Sequence, residues 1–157
     1  MLGMLTYENR RLLVVNPLTD CDVLAPALFN DHWIIELTDS ISSIEPIYDA
    51  CILFLQQKHL ENLEPIKDMI RSSRTEWVAV IDTDLKKNKS LAGFIYEWFF
   101  DFHTLPFDTP RIICTLGRAA GMARLCYGRN EIIAQDSGTL IGESLTMRKL
   151  RTLVEKI

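Results

Sequence analysis

Several features that would assign this chain to a common functional class are missing from its 157 residues. The four cysteines, Cys21, Cys51, Cys114 and Cys126, lie far apart and form no C-x-x-C pair, which argues against a zinc site or a disulfide framework. No apolar run approaches the ~20 residues that cross a bilayer, and the first residues do not resemble a secretory signal. We therefore expect a cytoplasmic protein with reduced thiols and no membrane partner.

Positive charge and phosphate-binding glycine motifs are also scarce. The chain has 17 Lys and Arg against 21 Asp and Glu, a formal net charge of −4, so we expect no direct contact with nucleic acid. Its glycines match neither G-x-G-x-x-G nor the P-loop, and its histidines do not stand at ligand or triad spacing. We expect no catalytic residue, metal or cofactor in this chain.

What the sequence does contain is an alternation of short apolar runs and helical stretches. The apolar runs predict β-strands at 11–15, 33–37, 51–55, 77–81 and about 102–105. Helices are predicted at 22–30, 40–49, 60–71, about 90–98, and from about 110 onward. Five such repeats predict an α/β, flavodoxin-like (βα)5 fold, a five-stranded parallel sheet with helices on both faces.

The composition changes after Cys126. Residues 128–138 mix Gly, Asn, Gln, Asp and Ser and read as a linker. Residues 146–157 then place Met147, Leu150, Leu153, Val154 and Ile157 on one helical face. We expect one domain at 1–127, a linker at 128–138, and the start of a second, truncated domain at 139–157.

Two segments resemble known regulators. Residues 100–108, FDFHTLPFD, resemble the fifth-strand signature of bacterial response-regulator receiver domains. Residues 138–150, GTLIGESLTMRKL, resemble the opening of the AAA+ domain of sigma-54-dependent activators. Together they imply the amino-terminal part of an NtrC-type enhancer-binding protein. Residues 77–81, 98–106 and 115–122 are similar to the VpsR group, which controls exopolysaccharide and biofilm genes, often in response to cyclic di-GMP.

The receiver resemblance implies a phosphorylation pocket at the carboxyl ends of the strands. Such a pocket needs an acidic pair for Mg²⁺, an Asp acceptor, a hydroxyl and a Lys that binds phosphate oxygens. The corresponding residues here are Asn16 and Pro17, Gln56, Asp82 or Thr83, and Leu105. Since an amide cannot take the acyl phosphate, we predict a degenerate pocket, or pseudo-receiver, that is not phosphorylated at the usual position.

Two further sets of residues have alternative interpretations. Asp20, Asp82 and Asp84 could converge on a divalent cation, although turn and cap roles are favoured. Phe102 matches the aromatic position that in receivers switches between buried and exposed rotamers, although a plain core position is favoured.

A possible dimer surface lies near the last helix of the domain. Its residues are Trp98, Phe99, Gly117, Ala120 and Gly121. Three consecutive aromatic residues at 98–100 cannot all face one core, which suggests an exposed apolar surface. The small residues indicate a close approach, either of the helix to its own sheet or of two helices in a homodimer.

The expected function is therefore regulatory rather than enzymatic. The resemblance implies a homodimer that acts on its own AAA+ domain and, through it, on sigma-54 RNA polymerase, with ATP and Mg²⁺ needed only by that absent ATPase. Two alternatives stay open. One is a cyclic di-GMP-binding module, although Arg10, Arg11, Arg71 and Arg74 form no recognisable phosphate clamps. The other is an unorthodox phosphoreceiver that uses Asp82 or Asp84.

Overall fold

A computed structural model describes residues 9–18 and 20–128, and within them one five-stranded sheet. All strand pairs are parallel, and the strand order is β2-β1-β3-β4-β5. The strands are β1 (Arg10–Val15), β2 (Trp33–Thr38), β3 (Ala50–Leu55), β4 (Trp77–Ile81) and β5 (Asp101–Thr104). The helices are α1 (Cys21–Asn30), α2 (Glu64–Ser73), α3 (Lys89–Trp98) and α4 (Thr109–Tyr127). Short 3₁₀ turns span Gln57–Glu61 and Thr83–Lys87.

The two central strands β3 and β4 are buried at every position, which explains their uninterrupted apolar sequences. Alternate side chains along the strands enter two separate cores. The α2–α3 core contains, among others, Leu13, Leu53, Trp77, Ile70 and Leu91. The α1–α4 core, on the opposite face, contains among others Leu12, Ile52, Val80, Leu24 and Leu116. The expected fold, with helices on both faces of a parallel sheet, is confirmed.

The predicted helix at 40–49 is wrong, because this segment has no helical hydrogen bonding in the structure. Pro46 lies near its middle and has no N–H to donate. The isoleucines at 41, 44 and 47 pack against the α2–α3 core from an irregular chain. The Ile44 backbone N–H donates to Ser72 Oγ at 2.9 Å, which holds the segment against α2. A loop therefore covers the sheet where a helix was expected.

A polar cluster anchors this loop to the edge of the sheet. Tyr48 Oη donates to Glu36 Oε1 at 2.8 Å, and the Arg11 guanidinium pairs with Glu36 Oε2. The Arg11 guanidinium also lies 5.4 Å from the centroid of the Tyr48 ring. Burial, followed by the hydrogen bond to Glu36, raises the pKa of Tyr48 to about 12, so the hydroxyl remains a donor. The cluster links β1, β2 and the end of the loop.

A buried histidine links β5 to α4. His103 is 5% exposed, and its Nε2 lies 2.9 Å from Thr115 Oγ1. Since the Thr115 hydroxyl donates to the Arg111 carbonyl at 3.0 Å, His103 Nε2 is the donor to Thr115. Burial is the main cause that lowers the pKa of His103 below its ordinary value of 6.5.

No helix among residues 9–18 and 20–128 is long and apolar enough to span a membrane.

The buried His103 predicts a pH-dependent stability. As the pH falls through 6.5, the ordinary value for His103, the unfolded chain binds a proton that the folded chain resists. The free energy of unfolding should therefore decrease below that pH and level off below the folded pKa, with a slope of at most about 1.4 kcal/mol per pH unit for one proton. His59, whose pKa burial also lowers, adds to the same trend.

Urea unfolding would measure the free energy of unfolding at about pH 7.5 and about pH 5.5. The decrease between these two pH values should be smaller for His103→Gln than for the wild type. His32→Gln, at an exposed position, is the control, and an equal decrease in both variants would contradict the assignment.

Candidate functional site

The carboxyl ends of β1, β3 and β4 and the chain after β5 surround a cavity of about 300 Å³. Its lining residues are Leu18, Leu55, Gln56, Gln57, Val80, Asp82, Asp84, Leu85 and Leu105. Three of the six predicted pocket residues, Gln56, Asp82 and Leu105, thus line one cavity. Asn16 and Thr83 bond to two of these, Asn16 to Gln56 and Thr83 to Leu105. The structure therefore brings residues from four different strand ends together, as parallel strands do at their common edge.

A hydrogen bond between two amides occupies the centre of this site. Asn16 Nδ2 donates to Gln56 Oε1 and to the Phe54 carbonyl, both at 2.9 Å. The Asn16 backbone N–H donates to the Thr38 carbonyl at 2.7 Å, so Asn16 contacts both neighbours of β1. Its φ is 57°, a left-handed conformation that Asn tolerates better than most residues. Asn16 thus ties the end of β1 to the ends of β2 and β3.

Gln56 is also held from the opposite side by His59. The Gln56 backbone N–H donates to His59 Nδ1 at 2.9 Å, and the His59 backbone N–H donates to the Gln56 carbonyl at 3.0 Å. His59 Nδ1 must be unprotonated to accept this bond, and burial, the larger cause, lowers the pKa of His59 and favours that state. Gln56 is consequently fixed by both its backbone and its side chain.

On the β4–β5 side, the site consists of hydrogen bonds to the backbone and one apolar side chain. Asp82 Oδ1 accepts the Thr83 backbone N–H at 2.7 Å and caps the following 3₁₀ turn. The Thr83 hydroxyl donates to the Leu105 carbonyl at 3.4 Å. Leu105, which precedes Pro106 through a cis peptide bond, packs partly against the α1–α4 core. Pro17 follows Asn16 and offers no N–H donor.

The charges that line this cavity are both negative. Asp82 and Asp84 are exposed at its rim, and no lysine or arginine is among the lining residues. A phosphoryl group here would meet two carboxylates and no cation. Within the described part of the chain, no three His, Cys, Asp or Glu side chains are placed to hold a metal ion, so Asp20, Asp82 and Asp84 do not form such a group.

The favoured interpretation of Phe102 as a core residue is wrong. Phe102 is 38% exposed. It lies on β5, which has β4 as a neighbour on one side only. Its side chain shares a face with Ala79, its partner in the register, but the outer edge of β5 leaves it partly uncovered. Phe102 lines a second cavity, between α3 and β5, that sequence reasoning missed.

The predicted dimer surface loses two of its five residues, because Phe99 and Ala120 are each 3% exposed. Phe99 belongs to the α2–α3 core and Trp98 packs against it, whereas Phe100 packs against the α1–α4 core. The aromatic run therefore needs no exposed surface, since it is divided between the two cores.

The two helical glycines of the predicted surface make no close approach within the described chain. A Cβ atom at Gly121 would meet nothing within 4 Å, and one at Gly117 would lie 3.8 Å from Arg10 Nη1, an ordinary contact. The sheet of the same molecule does not require glycine at either position. Gly117 and Gly121 thus remain candidates for contact with another chain, whereas Trp98 packs on the other face of the sheet, under Lys67 and Arg71 of α2.

Comparison with solved structures places this fold in a class. An adenylate cyclase from Rhodopirellula baltica aligns with a TM-score of 0.62 at 15% identity, covering 81% of this chain and 98% of that one. A response regulator receiver domain protein from Clostridium thermocellum aligns with a TM-score of 0.50 at 16% identity, covering 74% and 98%. NtrX from Brucella abortus, solved with ADP, aligns with a TM-score of 0.58 at 18% identity, covering 96% of this chain and 34% of NtrX. At these identities the likeness defines the fold, which is receiver-like.

The sequence identifies the family. The model of the VpsR domain matches residues 5–117, most of the chain, so this protein belongs to the VpsR domain family. The search of curated proteins gives no match. The predicted linker after Gly128 and the predicted AAA+ start at 139–157 lie outside the described residues.

The amide bond at the site predicts a specific loss of stability. In Asn16→Asp, the Gln56 amide could turn its Nε2 toward the carboxylate, but the Phe54 carbonyl would lose its donor and face a negative charge. We expect the free energy of unfolding to decrease by about 1–3 kcal/mol, the usual effect of leaving such groups unpaired. Chemical denaturation would measure it. Asn9→Asp, at an exposed position before β1, is the control, and equal stability of the two variants would contradict a structural role for Asn16.

Proposed function

We propose that this chain is the regulatory domain of a bacterial sigma-54-dependent transcriptional regulator and signals without phosphorylation at the usual receiver position. The observation that carries the proposal is the Asn16–Gln56 hydrogen bond, which replaces an ionic phosphorylation site with a neutral one. Membership of the VpsR domain family supports a regulatory role. Control of exopolysaccharide or biofilm genes rests on the resemblance to that group alone.

The chemistry of the site supports a pseudo-receiver. Phosphoryl transfer to a carboxylate needs an acceptor oxygen, Mg²⁺ and a cation that stabilises the developing charge. Gln56 supplies a neutral amide whose oxygen already accepts a hydrogen bond, and Leu105 supplies no cation. Asn16 and Pro17 stand where two metal-binding carboxylates would be required, and neither carries a carboxylate. Each requirement is absent from the position that would supply it.

An input to such a domain must come from binding. A domain with two conformations shifts between them only when a ligand or partner binds the two differently. We infer that the partner is a second copy of this domain or the AAA+ part of the same protein, and that the ATPase then acts on sigma-54 RNA polymerase. ATP hydrolysis and DNA binding belong to those other parts, and this domain is not itself an enzyme.

Beryllofluoride, an analogue of the acyl phosphate, provides the first test. Titration of the 157-residue chain with Mg²⁺ and beryllofluoride should leave the amide NMR signals of Asn16, Gln56, Asp82 and Leu105 unchanged, because no carboxylate stands at the acceptor position. The light-scattering mass should also stay constant. The triple variant Pro17→Asp, Gln56→Asp, Leu105→Lys, which restores an acidic residue, the acceptor and the lysine, is the matched control for analogue binding.

Saturable shifts in the wild-type chain would overturn the proposal in favour of phosphorylation elsewhere. The variants Asp82→Asn and Asp84→Asn would then identify the acceptor, since both residues line the cavity. Loss of the shifts in one variant would assign the acyl phosphate to that residue.

Three of the four arginines considered for cyclic di-GMP binding, all except Arg74, are engaged in contacts within the domain. Arg10 pairs with Asp31 at 2.9 Å and lies over the Trp33 ring, and Arg11 pairs with Glu36. Arg71 likewise pairs with Asp68 at 2.9 Å and lies over Trp98. These side chains serve internal contacts, so a response to the nucleotide would have to involve other parts of the protein.

A homodimer through α4 is testable at Gly121. Alanine there would stabilise the helix by up to about 1 kcal/mol relative to glycine, and a Cβ meets nothing within 4 Å in the single chain. If α4 packs against a second copy, Gly121→Leu should lower the dimer fraction measured by light scattering while the monomer stays folded. Gly93→Leu on α3, where a Cβ also meets nothing within 4 Å, is the matched control. Equal dimer fractions in the two variants would exclude this surface.

A further inference from the structure

A cavity of about 400 Å³ between α3 and β5 has no part in the site described above. Its volume lies within the range of small-molecule sites, about 300–1,000 Å³. It is separate in its chemistry from the degenerate pocket, with which it shares only Leu85. Its floor is formed by buried residues of the α2–α3 core, Ile81, Leu91, Ile95 and Phe99.

Two aromatic side chains form exposed walls of this cavity. Tyr96 is 41% exposed and Phe102 is 38% exposed, and both are among the lining residues. An apolar group placed here would cover them and would extend the underlying core. At roughly 25 cal/mol per Å² of apolar surface removed from water, such burial favours an apolar occupant.

The two ends of the cavity differ in charge. Asp101 lies at the start of β5, opposite Val78 of β4. β4 ends at Ile81, three residue steps or about 10 Å beyond Val78, and Lys86 follows in the turn after it. The Asp101 carboxylate accepts the Phe102 backbone N–H at 2.7 Å and lies 3.8 Å from Arg118, so its charge is partly compensated. At the other end, Lys86, Lys87 and Lys89 outnumber Asp82 and Asp84 of the same segment, so the net charge there is positive.

Three lysines, Lys86, Lys87 and Lys89, stand in sequence at the Lys86 end, and none forms an ion pair with any residue that the structure describes. Lys86 itself lines the cavity, as does Asn88, whose side-chain oxygen caps α3 and whose amide N–H groups remain donors. The amino terminus of the ten-residue α3 adds a partial positive charge at the same end.

From an apolar slot with a cationic end, we propose that this cavity binds a small, elongated apolar carboxylic acid. Its chain lies along Leu91, Ile95 and Phe99, and its carboxylate lies beside Lys86 and Asn88. The length of the slot favours an acyl chain, because α3 extends about 15 Å over ten residues. This site is independent of the proposed loss of phosphorylation.

Decanoate is a suitable probe, and decanol and decylamine are its uncharged and cationic counterparts. Each would be titrated below its micelle concentration into the 157-residue chain, with amide NMR shifts as the measurement. We expect saturable decanoate shifts at Leu91, Ala92, Ile95 and Phe102, weaker binding of decanol, and the weakest binding of decylamine. Equal or tighter binding of decylamine, or no saturable decanoate shifts at these residues, would overturn the proposal.

Two variants, each with a matched control, test the geometry. Ala92→Trp should fill the cavity and abolish decanoate binding, whereas Ser90→Trp, at an exposed position of the same helix that does not line the cavity, should not. Lys86→Gln should weaken decanoate binding about two- to fivefold, the effect of one exposed ion pair, and should not change decanol binding. Lys58→Gln is its control, distant in sequence and equally exposed. If Ala92→Trp and Ser90→Trp bind decanoate equally, the ligand lies elsewhere and the proposal fails.

Discussion

Burial of the central strands on both faces is the constraint on which the rest of this structure depends. Every side chain of β3 and β4 is buried, so these strands can carry polar chemistry only where they end. The residues that follow them, Gln56 and Asp82, therefore determine what the common edge of the sheet can bind. A carboxylate at half-buried position 56, in the same cavity as apolar Leu105 and without Mg²⁺, would be unfavourable, because partial burial disfavours the charged form. A neutral amide that accepts a bond from Asn16 avoids that cost.

The same constraint explains why the loop before β3 can replace a helix. β2 is an edge strand, and none of its residues belongs to the α2–α3 core. Its neighbour β1 contributes only Leu13 and Val15 to that core. Three isoleucines and the Arg11–Glu36–Tyr48 cluster are enough to cover so small an area. On the opposite edge, β5 is short and only partly covered, which leaves Phe102 exposed and the cavity beneath α3 open.

The strands could be predicted from the sequence because their apolar runs are short, continuous and bounded by polar residues. The run 77–81 matches β4, and the observed bounds of the other four strands differ from the predicted ones by one residue. The prediction of a helix at 40–49 was wrong because polar residues at the start of the segment fit the beginning of a helix, whereas Pro46, which has no N–H to donate, lies inside it. The burial of Phe99 and the exposure of Phe102 depend on which helix covers which edge of the sheet, and local patterns do not contain that information.

The residues of the predicted degenerate pocket were identified through the receiver resemblance. The Asn16–Gln56 hydrogen bond could not be predicted in this way, because it joins residues 40 positions apart in the sequence.

Under the proposed function this receiver-like domain is not phosphorylated at the usual position, so the free energy for a conformational change has to come from binding. Coupling between sites is typically about 1–3 kcal/mol, and it must come from contacts that differ between two conformations. Asn16, Gln56 and His59 hold three strand ends and a turn through backbone and side-chain bonds, so this edge of the sheet is poorly suited to move. The opposite situation holds at β5, whose outer edge is unpaired within the described sheet and whose Phe102 is partly exposed beside an open cavity. A conformational response is therefore more readily built on the α3–β5 side than at the degenerate pocket.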